Sequence, residues 1–118
     1  MSNDPPDLKI RTKEYALQII RMYSDLPKND AVAQVLGRQV LRSGTAVGAN
    51  YREASRSRSK AEFAAKVGDS LKEIAESEYW CELLVESGRV AVPKMAGLLD
   101  ETRQLIAIFT TIAKKAKG

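Results

Sequence analysis

Residues 31–56, AVAQVLGRQVLRSGTAVGANYREASR, decide the fold of this chain. At the 100° per residue of an α-helix, one arc of the stretch carries mainly apolar side chains. The members of that arc are Val32, Leu36, Val40, Ser43, Val47, Asn50 and Ala54. Arginines stand on the opposite arc. The pattern predicts one long amphipathic helix with a core-facing side and a basic outer side.

Three more amphipathic stretches repeat the helical period. One begins near residue 8 or 12 and ends at 24, a second spans about 60–87, and the last begins near 92. The segment SKAE at 59–62 is a capping box, which is typical of a helix start. Three short connections between four helices predict an all-α fold, an antiparallel up-down-up-down four-helix bundle. We expect a single domain over residues 1–118, in which residues 1–7 are the candidate for disorder.

The composition excludes several chemistries. The chain has 118 residues, no histidine and one cysteine, so it lacks a histidine base, a histidine metal ligand and an internal disulfide. We expect no enzyme activity, no metal and no cofactor, and we interpret Cys81, on the core arc of its helix, as an apolar filler. Residues 1–11 lack the apolar segment of a signal peptide, and no apolar run approaches the length of a membrane span. The sequence therefore predicts a cytoplasmic protein without a membrane partner.

Small and aromatic residues indicate close helix contacts. Gly37, Gly44 and Gly48 lie on one side of the second helix, and each interior glycine costs about 1 kcal/mol of helix propensity. Another helix backbone, from this chain or from another subunit, would explain them; tolerated surface glycines are the alternative. Trp80 and Leu84 form a second apolar flank on the third helix, which serves a subunit contact or covers the flank of the bundle. We assign all five residues to an oligomer interface.

The charges are segregated along the chain. Residues 38–72 hold eight Lys and Arg against three Asp and Glu, whereas residues 73–101 hold seven Asp and Glu against two Lys and Arg. Six cations in the basic segment form a candidate phosphate-binding surface: Arg38, Arg42, Arg52, Arg56, Arg58 and Lys60. No aromatic residue is interleaved with them, so we expect contacts to the nucleic-acid backbone rather than to bases. The alternative is a solvated face, or one paired with the acidic segment of a neighbouring subunit.

Four polar residues form a separate candidate cluster: Arg42, Asn50, Glu53 and Glu73. Asn50 falls within the core arc, where an amide without a partner costs roughly 1–3 kcal/mol. We interpret the four as a structural hydrogen-bonded network that fixes the register of the helices. A polar ligand site is the alternative.

Several segments together resemble one protein family. These are LRSGTAVGANYREA at 41–54, SKAEF at 59–63, SLKE at 70–73 and EYWCELL at 78–84. In order and spacing they are similar to motifs of the four-helix-bundle proteins of the 23S rRNA intervening-sequence protein family. The chain departs from that pattern at Leu41, where many members have arginine, and at Ser77 and Cys81.

The resemblance implies a small bacterial four-helix bundle that assembles as a homopentamer. One relative is the accessory variability determinant of diversity-generating retroelements, so the resemblance also implies a role as an adaptor between nucleic acid and a reverse transcriptase. The family provides no catalytic residues. We therefore expect a non-enzymatic homo-oligomer that binds RNA, DNA or a nucleic-acid enzyme through its basic face. The alternatives are a scaffold whose charges serve self-assembly and a bundle that binds a small molecule or acts as an enzyme.

Overall fold

Four α-helices make up the computed structural model, which describes residues 7–117. They are α1 (Leu8–Ser24), α2 (Ala31–Ser55), α3 (Lys60–Glu86) and α4 (Val92–Lys117). The disorder expected for residues 1–7 lies outside the described residues, except at Asp7. Successive helices run antiparallel, and the described chain measures 46 × 24 × 20 Å along its principal axes. The predicted four-helix bundle is confirmed.

Capping side chains set the starts of three helices. Asp7 accepts a hydrogen bond from the backbone N–H of Lys9, and Asp30 accepts one from Ala33 at 3.0 Å. Ser59 accepts one from the N–H of Glu62 at 3.0 Å, as the capping box predicts. Each bond pairs an N–H that the first helical turn leaves without a partner. After α3 the chain reverses through Gly88, whose φ of +82° is a conformation that glycine adopts without strain.

The core is a continuous apolar layer between the helices. Its largest fully buried side chains include Tyr15 and Ile19 of α1, Ile74 and Leu84 of α3, and Phe109 of α4. From α2 come smaller side chains, because other helices approach its backbone closely. A polar layer crosses this core, as described below.

The buried face of α2 differs from the predicted arc. Val32 is 43% exposed, and the neighbouring Ala33 is buried in its place. Gly37, Gly44 and Gly48 are all buried as well. The glycine side of this face packs against α1, while Ser43 of the same face contacts α3. The apolar periodicity alone did not reveal the contact with α1, because glycine carries no hydrophobic side chain.

Candidate nucleic-acid interface

Five of the six predicted phosphate-binding residues are exposed and free of ion pairs within residues 7–117: Arg38, Arg52, Arg56, Arg58 and Lys60. Arg56 is the C-terminal cap of α2, and its backbone N–H donates to the carbonyl of Glu53 at 3.1 Å. The exposed carbonyls of a helix C-terminus favour nearby cations, which suits Arg52 and Arg56 to this position. Four free cations therefore gather where α2 turns into α3.

Arg42 is the exception. It donates to Glu73 Oε1 at 3.2 Å and forms a second short ion pair with Glu76. The indole N–H of Trp80 also donates to Glu76, at 3.1 Å. With its charge matched by α3, Arg42 interrupts the predicted arginine stripe. Arg38 is left roughly 21 Å along the axis from Arg52, because fourteen residues at 1.5 Å each separate them.

The predicted polar network divides into separate pairs. Arg42 and Glu73 do meet across α2 and α3, but the Arg42 side chain is 52% exposed, so the pair lies at the surface. Glu53 pairs instead with Lys66 at 2.9 Å, which lowers the pKa of Glu53 and raises the pKa of Lys66. Asn50 is half-buried and makes no side-chain hydrogen bond within the described part of the chain. The four do not form a single buried network, because Glu53 pairs with Lys66 at the surface and Asn50 bonds none of the other three.

The buried polar groups are hydroxyls that the sequence analysis left out of its network. The Oγ atoms of Ser43 and Ser77 lie 2.7 Å apart, joining α2 to α3. The Tyr15 hydroxyl lies 2.7 Å from Thr102 Oγ1, joining α1 to α4. Thr102 donates its own proton to the carbonyl of Leu98, so Tyr15 is the donor in this bond. Burial, offset in part by hydrogen bonding, raises the pKa of Tyr15 and keeps it neutral.

The position of Ser43 inside an apolar arc was the available signal for this layer. A second serine, Ser70, lies on the apolar arc of α3 and donates to the carbonyl of Val47 at 2.9 Å. A hydroxyl in a core stripe must find a partner, and these serines find theirs on the facing helix. Such bonds fix the register of α2 against α3, the role predicted above for Arg42, Asn50, Glu53 and Glu73.

The acidic segment is largely neutralised inside the chain. Arg103 binds Glu78 at 2.9 Å and Glu82 at 3.2 Å, and Arg11 binds Glu101 at 2.8 Å. Together with the two partners of Arg42, five of the seven acidic residues in 73–101 have an intrachain ion pair. The structure thus gives most of these carboxylates a partner other than a neighbouring subunit's basic face.

The glycines of α2 pack against α1 of the same chain. A Cβ at Gly44 would lie 2.8 Å from Ile19 Cγ1, and one at Gly48 would lie 3.0 Å from Thr12 Oγ1. At Gly37 it would collide with Leu26 and Tyr23. Their assignment to an oligomer interface is therefore corrected, and close approach within the chain is the alternative that holds. The space that a side chain would need is already filled by α1 and, at Gly37, also by Leu26 in the loop after α1.

The two α3 residues assigned to the same interface differ from each other. Leu84 is fully buried in the core, so its assignment is also corrected. Trp80 is half-buried against the core, and its ring meets Tyr79 edge to face at 5.2 Å between centroids. Tyr79 itself is 54% exposed. Trp80 thus covers this flank of the bundle, and its assignment to a subunit contact stays a prediction.

Other candidate chemistries have little structural basis in residues 7–117. No group of three or more Cys, Asp and Glu side chains is arranged to hold a metal ion there. Cys81 is buried, and burial raises the pKa of its thiol to about 12, which disfavours the reactive thiolate. None of the four helices is long and apolar enough to cross a bilayer.

These features define a class of protein, a small antiparallel four-helix bundle with a cluster of free cations at one end. The family model for the 23S rRNA-intervening sequence protein matches residues 7–111, and the chain belongs to this family. One solved structure, a protein of unknown function from the S23 ribosomal protein family of Bacteroides thetaiotaomicron VPI-5482, is 34% identical. The match covers 90% of this chain and 94% of that one, with a TM-score of 0.83. No curated protein matches the chain.

Proposed function

We propose that this protein is a non-enzymatic, homo-oligomeric nucleic-acid-binding protein of the cytoplasm. The observation that carries the proposal is the group of free cations Arg52, Arg56, Arg58 and Lys60. Fixed cations close together on a surface displace counterions from a phosphate backbone, and that release drives binding. A reverse transcriptase or another nucleic-acid enzyme is a further partner within the same proposal.

The internal pairing of the acidic segment favours nucleic acid over self-assembly as the use of these charges. A scaffold held by charge would need free carboxylates opposite the arginines. Most carboxylates of residues 73–101 instead contact Arg11, Arg42 or Arg103 of their own chain. The free arginines are thus left for an anion from outside the chain.

Exposed apolar residues support the homo-oligomer. Ile10, Leu17 and Ile20 lie on one side of α1 and are 58%, 43% and 42% exposed. Such a stripe on a small bundle is typical of a surface that a partner covers. The number five rests on the family resemblance alone. Light scattering should give a mass well above the 13.0 kDa of one chain, and a stable monomer at micromolar concentration would remove this part of the proposal.

Fluorescence anisotropy with a short RNA and a short DNA duplex tests nucleic-acid binding. The variant Arg52→Ala/Arg56→Ala removes two free charges from the end of α2. The control Lys28→Ala/Lys94→Ala removes two exposed cations from the opposite end of the bundle. With each lost phosphate contact, the log–log slope of affinity against salt should fall by roughly 0.7–0.9. The first variant should therefore lose about 1.4–1.8 in slope, and the control should retain the wild-type slope.

Both nucleic acids should lose affinity to a similar degree whatever their sequence, because backbone contacts carry no base information. Absence of wild-type binding at low salt would refute the proposal. If the arginine variant falls apart into monomers while the control does not, the arginines belong to a subunit contact and the scaffold alternative replaces nucleic-acid binding.

A further inference from the structure

The helices place a second group of cations beside the end of α2. In the bundle α2 and α4 run in the same direction, and the rings of Tyr51 and Phe109 meet edge to face at 5.8 Å. From Tyr51 the chain advances about 7.5 Å to Arg56, and from Phe109 it advances about 9 Å to Lys115. Both helices therefore bring cations to the same end of the bundle.

This group on α4 consists of Lys114, Lys115 and Lys117. All three are exposed, and none makes an ion pair within the described range 7–117. Three carboxylates belong to the described segments at this end: Glu53, which is bound to Lys66 and also interacts with Arg56, Glu62 in the first turn of α3, and Asp7, the N-cap of α1. The positive charge of this end therefore remains largely uncompensated.

We propose that these lysines of α4 and the cations of the α2–α3 turn form one phosphate-binding surface. We call it the basic end; its residues are Arg56, Arg58, Lys60, Lys114, Lys115 and Lys117. The inference rests on the proposed function and deepens it, since it gives the nucleic acid a path from the outer face of α2 across the end of the bundle.

The dimensions suit a nucleic-acid strand. Packed helices lie 8–10 Å apart, so the diagonal from α2 to α4 is roughly 13 Å. One strand of a duplex carries a phosphate every 3.4 Å along the duplex axis. A duplex whose axis lies parallel to the diagonal therefore presents about four phosphates of one strand over this distance. A strand that follows this diagonal meets cations at both ends of it, and Lys60 begins α3 beside the same path.

Lysines in the last turn of a helix also have an ordinary role, because they offset the partial negative charge of its carbonyls. That role predicts a change in the stability of α4 and none in nucleic-acid binding. The two roles therefore separate when helicity and binding are measured on the same variants.

The test compares three triple variants by anisotropy at several salt concentrations and by circular dichroism. The first is Lys114→Ala/Lys115→Ala/Lys117→Ala. The second replaces the same three lysines by arginine and keeps the charge. The third, Arg21→Ala/Lys28→Ala/Lys94→Ala, removes three exposed cations that lie away from the basic end.

We expect the alanine variant of α4 to lose about 2.1–2.7 in salt slope, while the arginine variant and the distant control keep the wild-type slope. Equal slopes for the alanine variant and the wild type would overturn the basic end and assign the lysines to helix stability. In that case a loss in Arg52→Ala/Arg56→Ala would still support the proposed function. Absence of wild-type binding to either nucleic acid would overturn both.

Discussion

Replacing Gly44 by alanine measures how closely α1 approaches α2. In an unconstrained helix the change should stabilise the protein, since alanine has about 1 kcal/mol more helix propensity than glycine. Here the new Cβ would lie 2.8 Å from Cγ1 of Ile19 and 3.1 Å from its Cδ1. Ile19 is fully buried and β-branched, so it has few other rotamers that would avoid the new methyl group.

The magnitude follows from two opposing contributions. Overpacking a core costs about 1–3 kcal/mol, and the gain in propensity offsets about 1 kcal/mol of that. We therefore expect Gly44→Ala to lower the free energy of unfolding by up to about 2 kcal/mol. Gly68 in α3 and Gly97 in α4 are matched controls, because a Cβ at either would have nothing within 4 Å. Alanine at these positions should stabilise by up to about 1 kcal/mol.

Urea denaturation followed by circular dichroism measures these differences. The protomer concentration must be the same for all variants, because assembly adds to apparent stability. In thermal unfolding, the Tm of Gly44→Ala should lie several degrees below the Tm of either control. For a domain of this size, each kcal/mol of stability changes the Tm by roughly 4 °C. If the Gly44→Ala variant is as stable as the Gly68→Ala variant, the close packing of α1 on α2 is refuted. If the substitution changes the mass of the assembly but leaves the stability of the protomer unchanged, Gly44 belongs to a subunit interface, as first predicted.

Three further predictions concern hydrogen bonds of the bundle. Tyr15→Phe should lower the free energy of unfolding by about 1 kcal/mol in urea titrations, because it removes the buried donor to Thr102; an unchanged midpoint would contradict that bond. Ser59→Ala should cost about 1 kcal/mol through loss of the α3 cap, whereas glycine there should cost a few tenths. The pKa of Asp30 is lowered, first by the N–H of Ala33 and then by Arg89, so the stability that its charge contributes should be lost as pH falls below about 4. Asp30→Asn keeps a capping side chain without that titration, so its stability deficit should vanish in acid, and a deficit that stays constant with pH would contradict the assignment.

Local patterns predicted the fold because each pattern acts through neighbouring residues. The capping box at 59–62 marked the start of α3, and the apolar period of 31–56 marked α2 as a long helix. Both depend on contacts within one or two turns, which the chain sets before any helices meet. The family was predictable for the same reason, since its motifs lie in these segments.

The candidate site was predictable only in part. The sequence placed Arg52 and Arg56 on the outer face of α2, and the structure agrees. It could not separate Arg42 from them, because the carboxylates that bind Arg42 lie on α3, more than thirty residues away. The α4 lysines were likewise distant in sequence from the cations that share their end of the bundle.

By itself, the sequence determined four amphipathic helices, their order and the segregation of charge along the chain. The tertiary structure decided which side of each helix is covered and which charges are free. It buried Gly44 against α1, moved Val32 to the surface and gave the buried hydroxyl of Ser43 a partner in Ser77. The physical reason is that helical periodicity is a property of one segment, whereas burial and ion pairing depend on the rotation and register of two helices in contact.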